Sequence, residues 1–197
     1  MKHVYVVLYD NFTALDAFGP VEVLNSIEEL QIHYVSLHGG IIENRQAIRI
    51  ETEPFPQVTC EDILLVPGGF GSRGIINDQA FLEGLSHMIE TASYVLCVCT
   101  GSALVSKTGA LDGKRATSNK KAFDWVQSCR HEVLWNREAR WVVDGKFYTS
   151  AGVSAGIDMA LGFVHDVYGL EQAQEIIKRM EYHWNSNWSR IVSNKSN

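Results

Sequence analysis

Positive charge is the scarcer sign in this chain. Lys and Arg number 17 against 23 Asp and Glu, a formal charge of −6. Binding to a phosphate backbone needs clustered Lys and Arg. The one mixed run, Arg137, Glu138 and Arg140, reads as a solvated surface. Nucleic acid is therefore not an expected partner. No apolar run approaches the length of a membrane span. The opening segment Met1-Lys2-His3-Val4-Tyr5-Val6-Val7-Leu8-Tyr9 is too short for a signal peptide and lacks a cleavage site. No membrane partner and a cytoplasmic location are the corresponding expectations. The seven histidines show neither an HxxxH pair nor a His/Cys metal spacing, so no metal is expected. The four cysteines (Cys60, Cys97, Cys99, Cys129) contain no CxxC pair. Cys97 and Cys99, two apart, read as neighbours on one strand face, where a bond between them would be strained. Reduced thiols follow. There is no linker, repeat or low-complexity stretch, and 197 residues suit one domain over 1–197 with a sizeable core.

What is present is an alternation of apolar strands and helical patterns. It predicts an α/β three-layer sandwich, a mostly parallel sheet with helices on both faces. Strands are expected near 3–9, 31–37 (closed by Gly39-Gly40), 48–52, 62–66, 94–99 and 115–118. Trp141 to Thr149 reads as a hairpin turning at Asp144-Gly145. Helices are expected near 16–30, 77–92, from Ala103 to Gly109, 120–128, 153–168 with Gly169 as its C-cap, and 170–183.

Cys99 stands where the 94–99 strand runs into the turn Thr100-Gly101-Ser102 and a helix. A side chain at such a corner projects from the sheet edge, while helix N–H groups and the helix dipole favour negative charge there. The arrangement is the thiol counterpart of a nucleophile elbow, and it makes Cys99 the candidate nucleophile, with an ionised sulfur near neutrality. Thiolate character and exposure would also open Cys99 to oxidation. Two further strand ends, around Asp16 and Gly68-Gly69, reach the same edge, the edge where open parallel sheets bind ligands. A thiolate, a carboxylate and glycine amides would converge there. Each part has a plainer reading: Asp16 as a helix N-cap, Gly68 and Gly69 as turn residues with φ > 0 instead of oxyanion donors, Glu22 as helix surface. Gly69-Phe70-Gly71-Ser72-Arg73-Gly74 matches GxGxxG, but the next strand ends in no carboxylate, so it reads as a turn and not a dinucleotide site.

Five landmarks in order resemble the ThiJ/PfpI superfamily of the class I glutamine amidotransferase-like, flavodoxin-like fold. They are Leu15-Asp16-Ala17-Phe18-Gly19-Pro20-Val21-Glu22-Val23-Leu24, Leu65-Val66-Pro67-Gly68-Gly69, Cys99-Thr100-Gly101-Ser102, Gly109 to Thr117, and Thr149 to Asp158. Peptidase-like members carry His directly after the cysteine, where this chain has Thr100. Many relatives carry His where it has Asn119. A Cys-His-acid triad is thus missing its usual base. The set Asp16, Cys99 and Thr100 is similar to the isocyanide hydratase branch. That resemblance implies a Cys99 nucleophile, Asp16 as general acid/base, Thr100 and the Gly69 amide stabilising charge, Gly68 and Gly101 at the substrate, a small-molecule substrate, no metal or organic cofactor, and a homodimer. The same domain resembles the N-terminal half of AraC-like regulators, which makes a ligand-sensing or oxidation-sensing protein the main non-enzymatic alternative. Amidase, protease or glyoxalase-type chemistry is the third.

Overall fold

The structure, a computed structural model, describes residues 2–186 and, as backbone alone, 190–192. Its strands are β1 (Lys2–Val7), β2 (Leu30–Ser36), β3 (His38–Glu43), β4 (Arg49–Pro54), β5 (Ile63–Val66), β6 (Tyr94–Val98), β7 (Arg115–Ala116), β8 (Leu134–Trp135), β9 (Trp141–Asp144), β10 (Phe147–Ser150) and β11 (Arg190–Val192). Its α-helices are α1 (Ala14–Leu24), α2 (Ser72–Ile75), α3 (Gln79–Thr91), α4 (Gly101–Lys107), α5 (Phe123–Cys129), α6 (Ala155–Tyr168) and α7 (Leu170–Arg179).

Nine strands form one sheet in the order β11-β9-β10-β6-β5-β1-β2-β4-β3. The run from β10 through β6, β5, β1 and β2 to β4 is parallel throughout. Only β9 against β10 and β3 against β4 run antiparallel. Helices cover both faces, so the central strands read as near-continuous apolar runs. All four residues of β5 are buried, as are Val95 to Val98 of β6. In register Leu65 lies opposite Leu96, and Cys97 opposite Thr149. Helices α1, α6 and α7 pack together, as do α3, α4 and α5.

The sequence placed most of these elements within a few residues. The first helix stops at Leu24, well short of Leu30, because Leu30 opens β2 and pairs with Lys2. Two turns bridge the gap, with Ile27 N–H donating to Leu24 and Leu30 N–H to Ile27. Gly39-Gly40 does not close a strand; both glycines sit inside β3 at φ +71° and +89°. A Cβ on Gly39 would come within 2.9 Å of the Pro54 nitrogen, so the strand pairs with β4 only because that side chain is missing. The hairpin forms as expected, with Gly145 at φ +60°. The GxGxxG segment is a turn feeding the single-turn helix α2. The parallel strand β11 beside β9 had no counterpart in the sequence reading.

Candidate active site

Strand β6 ends at Val98, and the next residue, Cys99, takes φ +57°. That left-handed conformation is strained for a side chain with a Cβ. It also takes Cys99 out of the strand's alternation. Cys97 and Cys99 therefore do not share a face: Cys97 is buried in the core, whereas Cys99 is 8% exposed at the end of the sheet.

Hydrogen bonds hold the corner. Cys99 N–H donates to the Ser150 carbonyl at 3.0 Å. The Cys99 carbonyl accepts from Ser118 Oγ at 2.7 Å and Ser102 Oγ at 2.9 Å. Glycines clear the space around it. A Cβ on Gly152 would lie 2.5 Å from Cys99 Cβ, and one on Gly68 would lie 2.5 Å from the Thr100 nitrogen and 2.8 Å from Cys99 Cβ.

Asp16 arrives from α1. Thr13 N–H donates to the Gly68 carbonyl at 2.9 Å, and Phe12 bridges Gly69, so the start of α1 is pinned to the turn after β5. Thr13 is the N-cap of α1, and Asp16 lies in its first turn with its side chain fully buried. Capping is thus not its role. Neither carboxylate oxygen has a well-formed hydrogen bond among the described residues. The Cys99 thiol and the Gly68 backbone approach closely enough to favour the ionised carboxylate, but desolvation is the larger effect and pushes the Asp16 pKa up to about 7. Tyr9, buried beside this pair, donates its hydroxyl to the Pro67 carbonyl at 2.8 Å.

The sulfur itself departs from expectation. Burial first, and the Asp16 charge second, push the Cys99 thiol up to about 12. The Thr100 N–H and hydroxyl act in the other direction and do not outweigh them. Its surroundings thus oppose the thiolate that the corner position alone would favour. The corner does bring helix-start donors to the sulfur, but a buried sulfur beside a carboxylate loses more from lost water than those donors return.

The proposed glycine donors are otherwise engaged. Gly69 N–H donates to Thr100 Oγ1 at 3.0 Å, and Ser72 Oγ lies 3.0 Å from the same oxygen and 2.8 Å from the Gly69 carbonyl. Gly68 faces Asp16. Gly101 opens α4, where a Cβ would run into the Val66 carbonyl oxygen. The groups directed at the sulfur are those of Thr100. Ser72, fully buried and fixing the Thr100 hydroxyl, was missed by sequence reasoning; its only signal was its place after Gly69-Phe70-Gly71. Asn119 is spent as a cap, accepting from Lys121 N–H and Ala122 N–H at 3.1 and 3.2 Å and donating Nδ2 to the Ala151 carbonyl. Glu22 is on the surface, paired with Arg179 at 2.9 Å, and is no part of this cluster.

Cys99 opens onto a cleft of about 590 Å³. Thr13, Gly69, Phe70, Arg73 and Thr100 line it together with Asn119, Lys121, Ala122 and Val153. Asp16 does not line it and so sits behind the sulfur, out of solvent. A buried proton acceptor next to a thiol that reaches a cleft is an arrangement that can move one proton between carboxyl and sulfur while an electrophile approaches from the open side. Among the described residues no group of His, Cys, Asp and Glu has the arrangement of a metal site, and no helix is long and apolar enough to cross a membrane.

Residues 2–166 match the DJ-1/PfpI family. The chain is 30% identical over 177 residues to an isonitrile hydratase of Pseudomonas putida, covering 89% of this chain and 76% of that protein. It is 24% identical to the HTH-type transcriptional regulator CdhR of Pseudomonas aeruginosa, over 84% of this chain and about half (52%) of the regulator. Its fold superimposes on that of a ThiJ/PfpI family protein from Pseudomonas syringae with a TM-score of 0.84 and 25% identity, covering 94% of this chain and 77% of that one. Drosophila melanogaster DJ-1beta follows at 0.77 and 20%, over 93% and 99%. With a parallel sheet, a cysteine at the strained end of its β6 strand and a match spanning most of its length, the chain belongs to the DJ-1/PfpI family.

Proposed function

We propose that the protein is a cysteine-dependent hydratase of isocyanides, acting as one domain through Cys99, Asp16 and Thr100. The reading rests on one observation above all: a fully buried carboxyl group with no well-formed hydrogen bond among the described residues, its pKa pushed up to about 7 by burial, lies behind a cysteine that opens onto a cleft. Such a pair suits an electrophile that needs a proton and a nucleophile at the same carbon. The terminal carbon of R–N≡C is that kind of centre. The 30% identity to an isonitrile hydratase over 89% of the chain favours the same substrate class.

In the proposed reaction, Cys99 sulfur bonds to the isocyanide carbon as the Asp16 carboxylate takes the thiol proton. The carboxylic acid so formed returns that proton to the same carbon, leaving R–N=CH–S–Cys99. Water then adds to this carbon, one of its protons passing to nitrogen and its oxygen remaining on carbon. The C–S bond breaks, the hydroxyl proton returns by way of Asp16 to the sulfur, and R–NH–CHO departs. The balance is R–N≡C + H2O → R–NH–CHO, with no redox change. Thr100, its hydroxyl fixed by Ser72 and Gly69, stabilises charge on sulfur as the bond forms and breaks. The burial of Asp16 makes it a stronger base than a solvated carboxylate, which favours its role as acceptor of the thiol proton.

The test is turnover of cyclohexyl isocyanide, followed as the N-substituted formamide. Formamide production that Cys99→Ala abolishes and Asp16→Asn lowers by at least about 10³-fold supports the reading; general base removal commonly costs 10²–10⁴. Wild-type protein that leaves isocyanides untouched refutes it. The likeness to CdhR, which the chain matches over half that regulator's length, supports a second reading in which the cleft holds a ligand without turning it over. Binding of an isocyanide without formamide release would favour that alternative.

A further inference from the structure

The cleft in front of Cys99 carries charge of one sign. Of its lining residues two are cations, Arg73 and Lys121, and none is a carboxylate. This occurs in a protein with six more acidic than basic side chains. Neither cation is spent on an ion pair or a side-chain hydrogen bond among the described residues. The neighbouring cations contrast with them. Arg130 pairs with Asp112, Arg137 with Asp124, and Lys120 donates to the Ala139 carbonyl and Thr117 Oγ1. Arg73 is also held in place. Its guanidinium stacks 4.4 Å from the Trp125 ring and 5.9 Å from the Phe70 ring, whose other neighbour is Arg45 at 4.9 Å. A planar guanidinium fixed by stacking keeps its N–H fork free for a carboxylate.

We propose that the cleft selects small molecules bearing a carboxylate, which Arg73 and Lys121 receive while the reacting carbon meets Cys99. The apolar surfaces of Phe70, Ala122 and Val153 would take the intervening hydrocarbon. The favoured substrates are then isocyano acids in preference to their esters, a conclusion that rests on the hydratase reading for its chemistry but not for its electrostatics. The carboxyl group behind the sulfur, Asp16, is neutralised in part near pH 7 and does not line the cleft.

The electrostatics is measured without isocyanide turnover. Iodoacetate and iodoacetamide are near-isosteric and differ by one negative charge. Their alkylation rates at Cys99, read by peptide mass spectrometry so that Cys60 and Cys129 are counted apart, give a charge preference, and the same ratio for glutathione is the reference. The Debye length at physiological salt is ~8 Å, so a cation lining the cleft is only partly screened from a charge bound within it. Loss of either, in Arg73→Gln or Lys121→Gln, should lower the iodoacetate/iodoacetamide ratio about two- to threefold, and loss of both about fivefold or more. Arg73→Lys should retain most of the ratio, and salt should erode it in the wild type. In parallel, isocyanoacetate is compared with its methyl ester by kcat/KM. A preference for the acid that falls in the double variant supports the proposal. An alkylation ratio that neither the variants nor salt alter overturns it, as does equal turnover of acid and ester. Turnover of the ester alone leaves the hydratase reading standing without this inference. No isocyanide turnover, with the alkylation preference present, removes the hydratase reading and leaves the carboxylate site.

Discussion

Two buried carboxyl groups in this fold have opposite surroundings. Asp158, on α6, is fully buried and fully engaged. It accepts from Arg140 Nε at 2.8 Å, from Tyr182 Oη at 3.2 Å and from the Asn185 N–H at 3.2 Å, while its own carbonyl accepts from Trp184 Nε1. It ties α6 to the residue before β9 and to the segment after α7. Asp16, on α1, is just as buried and has no well-formed hydrogen bond among the described residues. The first is a carboxylate satisfied for stability. The second is one whose desolvation is left uncompensated, which is how a carboxyl group acquires a pKa near neutrality. The same contrast holds for the thiols: Cys97 lies inside the sheet core, Cys99 at the edge of a cleft.

Exchanging each acid for its amide separates the two roles most sharply. Asp16→Asn should cost turnover at least about 10³-fold. The same change should stabilise the fold. Asp16 carries a folded pKa of about 7, raised from 3.8. The native state therefore holds a proton that the unfolded chain releases, so stability falls as pH rises from about 4 to about 7 and is level above. Removing the group should restore up to about 4 kcal/mol at pH 8 and little at pH 4, measured by urea denaturation. Asp158→Asn should do the reverse, because it removes the buried carboxylate on which Arg140, Tyr182 and the Asn185 N–H converge: a loss of about 3–5 kcal/mol, with any activity change following the loss of fold.

Gly152→Ala comes next. Its Cβ would have to sit 2.5 Å from Cys99 Cβ, at a position where φ is +64°. A destabilisation of about 2–4 kcal/mol and displacement of the sulfur are expected. Thr100→Val leaves Gly69 N–H and Ser72 Oγ without their shared acceptor and should cost about 1–3 kcal/mol, with a lower kcat at unchanged fold. The mildest intervention is pH itself. Because Asp16 must be ionised to take the thiol proton, kcat/KM for a neutral isocyanide should rise with pH through a midpoint near 7 and level off above it. In Asp16→Asn that step should vanish.

Much of this site was legible in the chain. A run of buried residues ending in Cys-Thr-Gly-Ser locates the corner, because a parallel strand must turn into its crossover there. Taken alone, Asp16 looks in sequence like a helix cap, and only the resemblance gave it the role of general acid/base; the position of Thr13 as the cap and the docking of α1 on Gly68 give it its place. For the ionisation of Cys99 the sequence reading weighed only the groups that favour a thiolate, and not those that oppose it. Helix-start donors are visible in a sequence, whereas burial and the approach of a residue 83 positions away are not. Gly69 was expected to donate to substrate charge, but its N–H is claimed by Thr100, a contact between segments 31 residues apart. Strands β3 and β11 escaped notice for a related reason. Both sit at or near the outer positions of the sheet, where one carries glycines and the other is three residues long, so neither gives a clear alternation.

The proton on Asp16 is the quantity on which the account turns. Difference infrared titration of wild type against Asp16→Asn reads it as the carboxylic acid carbonyl band that only the wild type shows. The account predicts that this band persists to a midpoint near pH 7 and shifts when Cys99 is replaced by Ala. A carboxyl group already ionised at pH 5, or one whose titration is indifferent to Cys99, would contradict it.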